Sequence, residues 1–153
     1  MAVPNFELVT ELQVTTRRDF ALASSDLLNP LNANPLLDGE WLELNGSYQL
    51  DRGSGDGATP VVFPVHTERG RYDTQAIGKT NVIFGGMYEA DTAIYDGTSL
   101  VLGSPLMVGD VTVGGQTKRG LKLATAGKFA VGYVTKTAAN GKIRFQHRGI
   151  FKV

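Results

Sequence analysis

The stretch from Lys128 to Val153 reads KFAVGYVTKTAANGKIRFQHRGIFKV. Its apolar side chains fall on alternate positions. Phe129, Val131 and Tyr133 form one row; Ile143, Phe145, His147, Gly149, Phe151 and Val153 form another. A two-residue period sends neighbouring side chains to opposite faces of a strand. Between the rows stands Ala138-Ala139-Asn140-Gly141, and Asn-Gly supplies the positive φ angles of a tight hairpin turn. The stretch predicts a long β-hairpin with one buried face. Its core candidates are Phe129, Val131, Tyr133, Ile143, Phe145 and Phe151, with Val153 closing the buried row.

The same grammar extends upstream to Asp38. Glu40–Leu44, the turn Asn45-Gly46 and Ser47–Leu50 read as a second hairpin. Asp51–Pro60 reads as a flexible loop. Val61–Glu68, Arg71–Ile77, Thr80–Met87 and Asp91–Tyr95 read as strands of ordinary length. Leu100–Val113 reads as two short strands around Pro105, and Leu121–Ala124 leads into the final hairpin. The expected fold is all-β: a small antiparallel β-barrel or sandwich of about eight or nine short strands.

Residues 1–37 differ in character, so the chain divides into an extended N-terminal arm (1–37) and a β-barrel domain (38–153). Phe6–Val14 suits a strand or an extended arm, and Arg17–Leu22 suits a short helical turn. Asn29-Pro30 and Asn34-Pro35 bias the chain away from regular structure. Leucines on such a segment need a cover, either the chain's own barrel or a neighbouring subunit. The candidate partner-binding side chains are Phe6, Leu8, Leu12, Leu27, Leu28, Leu31, Leu36 and Leu37.

Composition narrows the function. The chain has 153 residues, 42% of them hydrophobic, enough for a core in one domain. Fifteen basic residues balance fifteen acidic ones, which disfavours nucleic acid as a partner because phosphate neutralisation drives that binding. No cysteine is present, excluding disulfides and thiolate chemistry. No apolar run approaches the ~20 residues of a membrane span. Met1–Asn5 lacks the pattern of a signal peptide, so a cytoplasmic site of assembly is expected.

The motifs offer little chemistry. His147, in an apolar row, suits a hydrogen-bonded core or interface residue. His66 and Glu68 share a strand face, but no third metal ligand accompanies them. Asp51–Gly57 runs out of calcium ligands after Asp56. Gly114–Gly120 lacks the spacing and the helix of a phosphate-binding loop. Gly103-Ser104-Pro105 lacks the flanks of a nucleophile elbow. Asn45-Gly46-Ser47 fits a hairpin turn better than a glycosylation acceptor. Glu68–Arg71 suits a solvated turn or an interface ion-pair patch. A small trimeric nucleotide hydrolase would need a glycine-rich phosphate motif that is missing. No enzyme activity, cofactor or metal is expected.

Three groups of segments together carry a resemblance. They are Gly39–Leu44; Tyr88–Thr92 with Tyr95-Asp96; and Ala126–Tyr133, Ala138–Gly141 and Gly149–Val153. In this order they resemble the head decoration, or cement, proteins of tailed bacteriophages, over residues 38–153. The resemblance implies a virion structural protein on the outer capsid surface, assembled in the bacterial cytoplasm. Its partner would be the major capsid protein, and it would self-associate as a trimer or dimer. The resemblance brings no catalytic residues. The alternatives are another virion barrel (tail, neck or baseplate) and a ligand-binding barrel.

Overall fold

The computed structural model describes residues 5–9, 15–29, 31–66 and 78–153. Leu12, the Arg71–Ile77 strand and the Glu68–Arg71 cluster lie outside the described residues. The fold is all-β. Its strands are β1 (Phe6–Leu8), β2 (Thr15–Ala21), β3 (Trp41–Leu44), β4 (Leu50–Asp51), β5 (Val62–Pro64), β6 (Lys79–Gly86), β7 (Tyr88–Thr92), β8 (Pro105–Val113), β9 (Gln116–Leu123), β10 (Phe129–Ala130), β11 (Gly132–Ala139), β12 (Lys142–His147) and β13 (Phe151–Lys152). One 3-10 turn spans Ser25–Leu28.

Two curled systems share a wall. The larger is an antiparallel sheet in the order β1-β7-β12-β11-β8-β9. It curls until Leu121 on β9 meets the chain just past β7. The Leu121 amide donates to the Ile94 carbonyl at 3.0 Å, and the Asp96 amide donates to the Leu121 carbonyl at 2.8 Å. Gly120 makes this seam possible, since a Cβ there would lie 2.4 Å from the Ile94 oxygen. The smaller system joins β4-β3-β5 to β6-β2. Val65 bridges to Val82, and Leu22 bridges to Leu50. Pairing therefore runs from β4 through β3, β5, β6 and β2 and back to β4.

Each circuit has its own core. Trp41, Val62, Ile83, Tyr88, Leu106, Leu121 and Phe145 fill the larger one. Phe20, Leu22, Leu42, Leu50, Val65 and Val82 fill the smaller. Successive strand residues point to opposite faces. Trp41 and Ile83 thus enter one core while their neighbours Leu42 and Val82 enter the other. β3 and β6 form a wall buried on both sides, and such strands read as continuous apolar runs.

The turn of the final hairpin is as expected, but its second strand breaks after His147 into β12 and β13, which lie in different sheets. Ala139 pairs with Lys142, and Asn140 and Gly141 take φ of 54° and 74°. Another tight hairpin lies upstream of it. Gly114 and Gly115, at φ 58° and 78°, connect Val113 to Gln116 and join two long strands, β8 and β9. The expected break around Pro105 is instead the start of β8, a position where a missing N–H is tolerated. Arg17–Leu22 is corrected from a helical turn to strand β2 and the residue after it, because Phe20 and Leu22 enter the smaller core there. The Asn45-Gly46 turn is corrected to a wider loop. Asn45 Oδ1 accepts from the Ser47 and Gln49 amides, and the positive φ falls on Tyr48, at 62°.

The buried row of the last hairpin needs a correction of phase. Ile143, Phe145 and Val131 are buried, but Tyr133 is 42% exposed, as is Val153. Pairing changes at Val131: β10 pairs with β13, whereas β11 pairs with β12 and β8. The alternation slips there, and Val134 takes the inward place expected of Tyr133. Phe129 and Phe151 are half-buried. Phe151 packs on a satellite cluster of Met107, Ala124 and Ala130, and its ring stacks on Tyr133 at 4.9 Å.

These placements separate two substitutions. Phe145 meets the rings of Phe6, Trp41 and Tyr88. Phe145→Ala is expected to cost about 3–5 kcal/mol. Tyr133→Ala, on the outside, should cost about 1 kcal/mol or less. Urea unfolding of both variants checks the assignment of faces; equal losses would contradict it.

Candidate functional site

The most concentrated charge in the described structure is buried. Glu40 precedes β3, Lys118 and Arg119 lie on β9, and Arg52 follows β4. Glu40 and Lys118 are wholly enclosed, and Arg119 nearly so. Arg52 grips the Glu40 carboxylate with two N–H groups, Nε to Oε1 and Nη2 to Oε2, each at 2.9 Å. The Leu37 amide donates to Glu40 Oε2 at 2.7 Å and the Arg119 amide to Oε1 at 3.2 Å. Lys118 Nζ lies 3.9 Å from Oε2 and donates to the Pro35 carbonyl. Arg119 spans to Asp110 at 2.9 Å and to the Gly55 carbonyl at 2.8 Å.

Burial pulls the Lys118 ammonium below its ordinary value, with Glu40 opposing the shift. Burial pushes the Glu43 carboxyl up, against the lowering effect of Arg119. The Glu40 carboxylate accepts hydrogen bonds from three residues, has the Lys118 ammonium nearby, and is sealed from solvent. The cluster acts as a clasp. It holds segment 34–37 and loop 51–57 against β9, so the loop expected to be flexible is pinned. Gly53 is packed so closely on the Glu43 carboxylate that a Cβ would overlap it.

The candidate arm residues find their cover mainly within the chain. Phe6 is buried in the larger core and Leu8 packs beside it, both on a strand paired with β7. Leu27, Leu28 and Leu36 pack on the smaller core. Leu37 is half-buried, whereas Leu31 is 90% exposed. Of the two covers open to these side chains, the chain's own cores take five.

His147 Nδ1 donates to the Val131 carbonyl at 2.6 Å, and its ring stacks on Tyr88 at 5.0 Å. Burial holds its imidazole below the ordinary value, outweighing the raising effect of the carbonyl. The unfolded chain therefore binds a proton near pH ~6.5 that the folded chain refuses. Stability is expected to fall as pH drops from about 7 to 5.5. His147→Gln should flatten that slope, as read from urea midpoints across the interval; an unchanged slope would contradict the assignment.

His66 Nδ1 faces the Asp38 carboxylate at 3.4 Å. Among the described residues, no group of three metal-ligating side chains is arranged to hold an ion. An open depression of about 650 Å³ is lined by Asp56, Asp96, Asp110, Lys122 and Lys128. Its charges are largely satisfied by neighbours: Lys122 pairs with Asp56, Asp110 with Arg119, and Asp96 with Thr98. A cavity of about 210 Å³ borders Trp41, Tyr88 and His147, but Trp41 Nε1 and Tyr88 Oη are sealed from solvent and have no hydrogen-bond partner among the described residues.

The surface feature that sequence reasoning missed is aromatic. Phe20 on β2, Tyr48 in the 45–49 loop, Phe63 on β5 and Phe84 on β6 form one continuous cluster. Phe20 lies within 6.0 Å of the other three rings, and Phe63 is 5.1 Å from Phe84. The Arg18 guanidinium sits over three of these rings, 5.0 Å from Phe20, 5.3 Å from Tyr48 and 5.5 Å from Phe84. Tyr48 is 54% exposed and Phe84 39%. The five residues come from four separate chain segments, and only the strand pairing brings them together. No protein-family model matches the chain, and neither a search of curated proteins nor a search of solved structures gives a match.

Proposed function

We propose that this chain is an adhesive structural protein of a phage head, binding the outer capsid surface and joining neighbouring major capsid subunits. The observation that carries this reading is the large apolar side chains held exposed on a braced β framework. Tyr48, Phe84, Met87, Val101 and Leu102 all face outward. Aromatic residues, Met and Arg are the side chains enriched where proteins meet. The clasp turns a dense set of charges inward, which suits adhesion to protein better than chemistry on a substrate. The resemblance of residues 38–153 to head decoration proteins points the same way. Self-association as a trimer or dimer belongs to the same proposal.

The test is co-sedimentation of the purified chain with capsids of the phage that encodes it, followed by density maps of the decorated particles. Saturable binding with many copies on the outer surface is the expected result. No binding would overturn the proposal, and density confined to one vertex would replace it with a neck or tail role.

A further inference from the structure

We infer that the face built by Arg18, Tyr48 and Phe84 is the docking surface, and that its partner presents a carboxylate set among aliphatic side chains. The inference rests on the adhesive reading above and adds to it a place and a chemistry. Three observations carry it.

The first is charge. Arg18 is exposed and forms no ion pair among the described residues. Its neighbour Asp19 is occupied by Asn81 at 2.7 Å. Aromatic rings cover the guanidinium, while its N–H donors remain in the guanidinium plane. Those donors form a rigid fork that matches a carboxylate. An aromatic platform holding the fork in place lowers the ordering loss on binding.

The second is backbone conformation. Tyr48 sits at φ 62°, a region that a bulky residue rarely occupies. Glycine or asparagine would adopt it more easily. The Asn45 side chain, accepting from the amides of Ser47 and Gln49, over-determines the turn and keeps Tyr48 there. Strain held by its surroundings points to function at that position. Here it delivers an exposed ring to the edge of the Arg18 platform.

The third is continuity. The half-buried Phe63 and buried Phe20 back the exposed rings and reach into the smaller core. The platform is therefore rigid, and rigid aromatic anchors beside arginine are the usual centre of binding energy at an interface. An aliphatic surround on the partner would fill the spaces between the rings and exclude water from the ion pair.

The probe is a preparation of phage heads stripped of this protein, mixed with full-length chain. Arg18→Glu should weaken co-sedimentation about tenfold or more. Arg18→Lys should recover only part of it, since an ammonium cannot reproduce the planar fork. Tyr48→Asn should also weaken binding while melting close to the native protein, a split that a merely structural tyrosine would not produce. A photo-reactive phenylalanine analogue at position 48 should cross-link the major capsid subunit. Undiminished binding by Arg18→Glu would overturn this assignment and leave the adhesive reading standing. Cross-linking only to a second copy of the chain would likewise overturn it. Failure of the native chain to bind heads would remove both.

Discussion

Glu40→Ala is expected to destabilise the protein by about 3–5 kcal/mol, the range for removing one partner of a buried ion pair. Alanine deletes the acceptor for two Arg52 donors and for the Leu37 and Arg119 amides. It also leaves Lys118, wholly buried, with the Pro35 carbonyl in place of a counter-charge. The larger part of the loss comes from that stranded ammonium and the unpaired donors, not from the disappearance of a favourable pair. Glu40→Gln keeps the shape and should fall between native and alanine. Adding Lys118→Met to Glu40→Gln should restore part of the loss, because a buried charge then no longer lacks its partner. Urea unfolding of the native protein, Glu40→Gln, Lys118→Met and the double variant forms a double-mutant cycle. A loss below ~1 kcal/mol for Glu40→Ala would show that water reaches the cluster.

Removal of residues 1–37 is expected to leave no cooperatively folded protein. β2 pairs with β6 from Thr15 to Ala21, and β1 pairs with β7 from Phe6 to Leu8. Phe6, Phe20 and Leu22 are buried, and each such side chain is worth about 1.5–3 kcal/mol. Together they approach the whole stability of an ordinary domain, about 5–15 kcal/mol. Truncation would also open the circuit that runs through β2 to β4, and would remove the Asn34 and Pro35 carbonyls that accept from Arg52. A truncated chain giving a sharp thermal transition and dispersed amide resonances would restore the view of residues 1–37 as a separable arm.

The parts legible in the sequence are those whose structure is set locally. The Asn140-Gly141 hairpin was readable because the turn residues and the apolar rows of Ile143 and Phe145 agree. The Gly114-Gly115 hairpin carried the same kind of signal, a two-residue glycine turn between long strands. The slip at Val131 was less visible, although it carries a mark. Gly132 approaches the Gln146 carbonyl so closely that a Cβ would lie 2.4 Å from the oxygen, and a strand glycine commonly signals such contact.

Three features could not be read locally. Trp41-Leu42 and Val82-Ile83 show no alternation because both faces are covered. Glu40 and Lys118 look like solvated charges until the fold brings segments 78 positions apart into one cluster. Arg18, Phe20, Tyr48, Phe63 and Phe84 are scattered along the chain. The leucines of the first 37 residues gave an ambiguous message for a related reason: sequence showed that they needed covering, but not by what.

Because β3 and β6 serve two cores at once, neither lobe of the described structure is expected to melt alone. Loosening either side strips the lining from the other. Heat should therefore register as one calorimetric peak, and deuterium from solvent should reach the Val82 and Ile83 amides last. A body that yields all together or not at all is suited to carrying load from one face to the other.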